Sequence, residues 1–354
     1  MKRIAGLLVA GLMLAASVLI GAQAEAQGKV LENQYIVVLK DGANPRSVAA
    51  VAGISPAYIY ESALNGFAAA LNAGQLAALQ QHPKVVAIES DQTIATSSQG
   101  RIEQSSQPLA ATDSTISSAA NVSAYVIDTG IYVTHPDFGG RAINVYDALG
   151  GTGQDCNGHG THTASVLGGT TWGVAKDVKL RGVRVFDCSG SGSYSGMIAG
   201  VNYVASNAVR PAVANMSFAG AANSSLDTAV TNMVNRGIVT VVAAGDNNAN
   251  ACNYSPARAS GVITVGASTT SNTKAAYSNY GSCVEVYAPG TRTAAWPPSG
   301  TNTISGTGVA AAYVSGCVAK YLGMNPGATP AQVSNWVISN SRLFGTIRIF
   351  TCPI

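Results

Sequence analysis

Asp128 follows directly on the apolar run Ala124-Tyr125-Val126-Ile127, and the Thr129-Gly130 turn after it would hold the carboxylate at a strand end. His159 sits in Gly158-His159-Gly160-Thr161-His162, where glycines allow a tight entry into a helix. A carboxylate that orients an imidazole, with the imidazole placed to take a proton from a hydroxyl, is the general-base half of a nucleophilic site. The missing third member is a hydroxyl or thiol. The other histidines, His82, His135 and His162, have no metal-like spacing and read as structural.

Residues that cooperate in this way need a scaffold that brings them to one edge. Ala124 to Ile127, Val213 to Met216, Val239 to Ala243 and Val262 to Val265 are mostly apolar runs of strand length. Val178 to Val185 adds a strand interrupted by Lys179, Arg181 and Arg184. Between them Ser165 to Gly168, Ser195 to Asn207, Leu226 to Asn235 and Ala310 to Leu322 carry helical periodicity. Apolar strands separated by helices imply a doubly wound, mostly parallel α/β sheet covered on both faces, with its site beyond the carboxyl ends of the strands.

A smaller unit precedes this one. Tyr35 to Leu39, Val48 to Ile54, Tyr58 to Tyr60, Asn65 to Ala70, a helical pattern from Ala73 to Gln81 with Leu76 and Leu79 as core positions, and Val85 to Ile88 predict a small α+β, ferredoxin-like βαββαβ domain over 27–97. The stretch 98–120, rich in Ser, Thr, Gln and Ala, reads as a linker, and 121–354 as the large domain. Residues 1–26 combine a basic start, an apolar run from Ala5 to Ala22 and small residues at Ala22, Ala24 and Ala26, which is a secretory signal with cleavage after Ala24 or Ala26. Export implies a secreted protein with no membrane attachment after cleavage. A net charge of +3, without a basic cluster, excludes a nucleic-acid partner. The six cysteines, all beyond residue 150 and none spaced CxxC, favour disulfides over metal in an exported chain, but six cysteines allow about fifteen pairings.

The blocks Val126-Ile127-Asp128-Thr129-Gly130-Ile131, Asn157 to Ala164 and Ser305-Gly306-Thr307-Gly308-Val309-Ala310 resemble, in order, the aspartate, histidine and serine blocks of the subtilases. Further blocks, including Asp155 to His159, Gly190-Ser191-Gly192, Pro211 to Ser217, Asn253 to Ala257 and Ser278 to Gly281, bring the resemblance nearest to the proteinase K branch with its aqualysin-like bacterial enzymes. Tyr35 to Asp91, with Asn65-Gly66-Phe67-Ala68, resembles the inhibitor-type propeptide of such enzymes. The resemblance implies a subtilisin-like fold and a serine endopeptidase site, with one exception at its centre. Where the family reads Gly-Thr-Ser-Met-Ala-Thr-Pro-His, this chain reads Gly306-Thr307-Gly308-Val309-Ala310-Ala311-Ala312-Tyr313, so glycine stands at the nucleophile's place. The family's Ala-Ala-Gly-Asn is here Ala243-Ala244-Gly245-Asp246, with a carboxylate in place of the oxyanion-binding amide, a change that some active members carry. Ala219 likewise stands where the substrate-binding edge usually has glycine.

By the same resemblance, Gly190-Ser191-Gly192 and Ser217-Phe218-Ala219 would form two edges between which a peptide adds as a strand, with Ala243, Ala244 and Gly245 walling the main pocket. Cys156 would pair with Cys188 and Cys252 with Cys283, leaving Cys317 and Cys352 as a third bridge, which export favours, or as two thiols. Structural calcium is implied at the carbonyls of Ser260 and Val262 with Glu285, where the family typically has Asp; no cofactor is expected for chemistry. The expected protein is therefore a monomeric, secreted subtilisin-like endopeptidase homologue that has lost its nucleophile. Such a chain would bind a peptide, or its own propeptide, without turnover; the alternative is a weak endopeptidase using the retained Asp/His pair.

Overall fold

The computed structural model describes residues 28–96 and 118–353. The signal segment 1–26 and all of the linker before residue 118 lie outside the described residues.

The small domain runs β1 (Val30–Leu39), α1 (Pro45–Val51), β2 (Tyr58–Glu61), β3 (Asn65–Ala70), α2 (Ala73–Gln80) and β4 (Val85–Ala95). Its helices start where the sequence provides caps: Asn44 accepts from the Ser47 N–H ahead of Pro45, and Asn72 with Gln75 forms a reciprocal capping box. All strand pairings among β1–β4 are antiparallel, in the order β2-β3-β1-β4. Residues on alternating sides of the sheet have different destinations. Val37, Leu39, Phe67 and Ala69 pack with Val48 and Leu79 into the domain's own core, whereas Ile36, Tyr60 and Ala68 join the core of the large domain.

The large domain contributes β5 (Ser123–Asp128), β6 (Ala142–Asp147), α3 (His159–Gly168), β7 (Lys179–Arg184), β8 (Ser191–Ser193), α4 (Tyr194–Asn207), β9 (Ala212–Met216), β10 (Gly220–Ala221), α5 (Ser224–Asn235), β11 (Val239–Ala243), β12 (Tyr254–Ser255), β13 (Ile263–Ser268), β14 (Val286–Pro289), the hairpin β15 (Thr291–Trp296) and β16 (Gly300–Ser305), α6 (Thr307–Met324), α7 (Pro330–Ser339), β17 (Ser341–Phe344) and β18 (Ile347–Phe350). Nine strands form one sheet in the order β17-β18-β14-β13-β11-β9-β5-β7-β6, parallel except for β17. Fully buried runs such as Val239–Ala243 belong to its centre because helices cover both faces. α3, α6 and α7 share one core with the sheet, while α4, α5 and the small domain share the other. From β5 the chain crosses to the edge strand β6 and returns to β7 on one side, then builds outward through β9, β11 and β13 on the other. The strand order therefore reverses between β5 and β9, where sheets of this kind open a crevice for ligands.

The two domains are held together by polar contacts at helix starts. Asp91, 3% exposed, accepts from the Ser195 N–H and Oγ at the first turn of α4, and Glu89 accepts from the Ser225 N–H at the start of α5. Carboxylates suit these positions because helix N-termini present unpaired N–H groups. Asn202 Oδ1 receives three N–H groups in turn, from Glu61, Ser62 and Ala63.

Candidate active site

Asp128 is the last residue of β5 and is fully buried. Its Oδ1 accepts from the Thr129 N–H and from His159 Nδ1, each at 2.7 Å. Donation from Nδ1 fixes the tautomer that leaves Nε2 as a base. His159 opens α3 on a loop that Asp155 organises: one carboxylate oxygen accepts from Thr129 Oγ1, Asn157 N–H and Gly158 N–H, the other from the Thr161 N–H and hydroxyl. Gly158 is required twice over, by its φ of 109° and by the Trp296 ring, which lies 2.5 Å from where a Cβ would stand. Burial works against charge on His159, but Asp128, followed by Asp155 and Asp246, outweighs it and raises the imidazole above its ordinary range. His162, by contrast, is pushed down to about 3 by burial and by the neighbouring His159; it is a neutral structural residue bonded to the Arg292 carbonyl.

The third position is at the start of α6. Gly308 is the helix's second residue, and its carbonyl accepts from Ser217 Oγ at 2.8 Å, just past the end of β9. Asn215 donates to Ser217 Oγ and accepts from Ser315 Oγ, which ties the cleft edge to the third turn of the helix. The loop after β11 is laced to the same helix start: Thr307 Oγ1 accepts from the Gly245 N–H, and Asp246 Oδ1 accepts from the Thr307 N–H at 2.8 Å. Asp246 thus caps α6, whose own cap residue, Gly306, has no side chain to do so. The nearby hydroxyls are engaged elsewhere, Ser305 with Thr291 across the hairpin and Thr307 with Gly245.

The cleft edges flank a strand of the chain itself. Thr93, Ile94 and Ala95 pair antiparallel with Ser193, Gly192 and Ser191. Thr96 donates its N–H to the Gly190 carbonyl at 3.0 Å and bridges Phe218 on the opposite edge. Ile94 is 5% exposed, lodged where a Cβ on Gly220 would come within 2.7 Å of it, beside Tyr194 and the edge-to-face pair Phe186–Phe218. The strand predicted for Val85 to Ile88 continues to Ala95, because Glu89, Ser90 and Gln92 still pair with β1 and Thr93 to Ala95 find their partner in the other domain.

The structure brings Asp128, His159, Asp246, Gly308, Gly190–Gly192 and Ser217–Ala219 to one side of the sheet, at the carboxyl ends of β5, β9 and β11. Ala243 and Ala244 end β11 and start its loop, with the Ala244 carbonyl held by Asn279 Nδ2. Glu285 lies apart: its carboxyl accepts from the Thr264 N–H at 2.6 Å, and burial pushes it up to about 7. Cys156–Cys188, Cys252–Cys283 and Cys317–Cys352 are all bridged, with Cα separations of 5.0, 5.3 and 5.7 Å. Sequence reasoning gave no role to Asp155, to the Asn215–Ser315 pair or to the capping acids Glu89 and Asp91, although Asp155, Asn215, Glu89 and Asp91 stand inside the blocks that carry the resemblance.

Residues 119–349 match the model of the Subtilase family, and residues 34–97 match that of Peptidase inhibitor I9. This chain belongs to the subtilase family. The subtilase is 49% identical over 290 residues to an extracellular serine proteinase of Thermus sp. (strain Rt41A), covering 78% of this chain and 71% of that protein. It is 44% identical over 300 residues to alkaline serine exoprotease A of Vibrio alginolyticus, covering 80% of this chain and 56% of that one. A solved cold-adapted subtilisin-like serine proteinase superposes with a TM-score of 0.67 at 43% identity, over 72% of this chain and 97% of its own. The Thermus relative is named an extracellular proteinase, and no helix among the described residues is long and apolar enough to cross a membrane.

Proposed function

We propose that this subtilase is a secreted pseudoprotease: a peptide-binding fold that keeps its base but has no nucleophile, and that retains its inhibitor-like domain. The observation that carries the reading is position 308, which has no side chain while the adjacent hydroxyls are committed to other partners. His159 and Asp128 can accept a proton, but Gly308 offers none to take and no atom to bond to a carbonyl carbon. Loss of the serine in subtilisin, a member of this family, costs about 10⁶-fold in turnover. Asp246 adds a carboxylate where an oxyanion would form, and removal of the amide donor in subtilisin costs about 10²–10³-fold. A shift of register to Ser305 or Thr307 would misplace the hydroxyl by far more than the ~1 Å that catalysis tolerates.

The partner in this reading is an extended peptide or protein segment, first of all residues 93–96 of the same chain, bound to a monomer. Self-cleavage beyond Thr96 is absent, so the secreted protein keeps its small domain unless another protease cuts between the domains. Intact-mass measurement after secretion in a protease-free host checks this; a product that starts near residue 98 in the purified protein would overturn it. A second reading, weak hydrolysis by water activated at the His159–Asp128 pair, rests on that pair's preserved geometry and would leave about 10³–10⁴-fold acceleration over water. Equal peptide hydrolysis by wild type and His159→Ala removes it.

Calcium at the Ser260 and Val262 carbonyls with Glu285 is part of the proposal. The donors are hard oxygens of the right kind, and the half-buried Glu285 carboxyl has no ion pair among the described residues, although one of its oxygens is spent on Thr264. A carboxyl whose folded pKa lies near 7, against an ordinary 4.5, withdraws stability as pH rises from about 4.5 through 7, since only the folded state holds the proton. A bound cation offsets that loss by favouring the ionised form. Added calcium should therefore raise Tm more at pH 8 than at pH 5.5; a shift independent of pH, or none at either, speaks against the site.

A further inference from the structure

The Cys156–Cys188 bridge joins two functional strips. Cys156 lies three residues before His159, and Cys188 two residues before Gly190, whose carbonyl holds the Thr96 N–H. Both cysteines are exposed, whereas Cys252 and Cys283 are half-buried and Cys317 is fully buried. The Arg184 guanidinium reaches both sulfurs of this bridge, with Nη2 3.4 Å from Cys156 Sγ and 3.8 Å from Cys188 Sγ. Its other contacts, Nη1 to Asp147 at 3.4 Å and Nε to the Phe186 carbonyl, hold the group there. The Cys252–Cys283 bridge, by contrast, has a serine hydroxyl rather than a cation among its described contacts.

A cation against a disulfide sulfur stabilises the thiolate that leaves when the bond is attacked, and access decides which bond is attacked first. We propose that Cys156–Cys188 is a thiol-exchange site whose reduction by a dithiol loosens the grip of the cleft on residues 93–96. One thiolate of the reductant bonds to Cys188 Sγ and breaks the S–S bond. Cys156 Sγ leaves as a thiolate beside Arg184 and takes a proton from solvent. The reductant's second thiol then attacks the mixed disulfide, so that the reductant becomes a disulfide and both cysteines become thiols. With the bridge open, the loop before His159 and the turn before β8 stay joined through the Asn157 Nδ2 bond to the Cys188 carbonyl at 3.1 Å, a contact that water can replace. Exposure, charge and chain position single out this bridge whether or not position 308 is catalytic.

The test treats the folded, full chain with low dithiothreitol, quenches with iodoacetamide at intervals and maps the alkylated cysteines by mass spectrometry, with amide exchange of 93–96 followed in parallel. Cys156 and Cys188 should react first, about tenfold ahead of Cys252 and Cys283. Arg184→Gln should slow the step severalfold and Arg184→Lys should restore most of the rate. Exchange at Ile94 to Thr96 should rise with the fraction reduced. Simultaneous reduction of Cys252–Cys283, or unchanged exchange at 94–96 in the fully reduced protein, overturns the proposal. If Arg184→Gln fails to fold, the order of reduction in wild type and the rate in Arg184→Lys decide the matter.

Discussion

Gly308→Ser combined with Asp246→Asn is expected to turn the proposed pseudoprotease into a protease that cuts itself just beyond Thr96, a gain on the order of 10⁶-fold in peptide turnover, as judged from the loss measured in subtilisin. The base is in place, with His159 Nδ1 2.7 Å from Asp128. The asparagine needs no new position: its Oδ1 would go on accepting from the Thr307 N–H, as Asp246 does at 2.8 Å, while Nδ2 replaces the second carboxylate oxygen with a donor. The serine is the tighter fit. A Cβ at 308 would stand 3.0 Å from Ser217 Cβ and 3.1 Å from its carbonyl oxygen, so the cleft edge must yield by a few tenths of an ångström. Gly308→Ser alone should fall short of the double variant by about 10²–10³-fold, the worth of the amide donor in subtilisin. Chromogenic-peptide assays and intact mass read both. A folded double variant that neither cuts itself nor hydrolyses peptide would place the defect in the cleft rather than in the two catalytic groups.

The parts of this molecule legible in its sequence are those where one residue's neighbours along the chain decide its fate. The β-branched run Val239–Ala243 forms the strand it predicts, and Asp128 ends its strand as the Thr129-Gly130 turn requires. The pairing of cysteines 156 with 188 and 252 with 283, and the subtilisin-like fold itself, came from blocks of sequence that resemble a family. Less legible were contacts whose partners lie far apart. Glu89 to Ala95 reads Glu-Ser-Asp-Gln-Thr-Ile-Ala, a polar stretch with no strand period, because beyond its pairing with β1 its order comes from Ser191–Ser193 and from two helix starts some hundred residues on. The hairpin Thr291–Trp296 with Gly300–Ser305 was missed for a related reason: hydroxyls satisfy one another across the strands at Thr291–Ser305 and Thr293–Thr303, and its deeply buried apolar side chains are only Ala294, Ala295 and Ile304. Asp246 was read only as a loss at the oxyanion position. Its second role, capping α6, depends on a helix sixty residues later that offers no cap of its own.

Ile94→Asp is expected to empty the cleft while leaving the small domain docked. Ile94 is the one apolar side chain of the tail that is buried, and removing it from its pocket forfeits about 1.5–3 kcal/mol. Holding a carboxylate there among Phe186, Tyr194 and Phe218 costs more than leaving it in water, so the tail from Thr93 onward should swing out rather than bury the charge. Asp91, Glu89 and Asn202 make their contacts without Ile94, and Ile36 and Tyr60 remain in the core shared with the large domain, so the domains should stay together. In wild type the tail competes from within the same molecule at an effective concentration of about millimolar, which masks the cleft from added peptide. A fluorescent peptide spanning Glu89 to Thr96 should therefore bind the variant about 10- to 100-fold more tightly than wild type, and the same peptide with its own isoleucine changed to aspartate should bind neither. Amide exchange should rise at 94–96 yet stay low at Ser195. Equal peptide binding by wild type and variant would mean that the tail does not hold the cleft, and with it would fall the view of this subtilase as a fold occupied by its own chain.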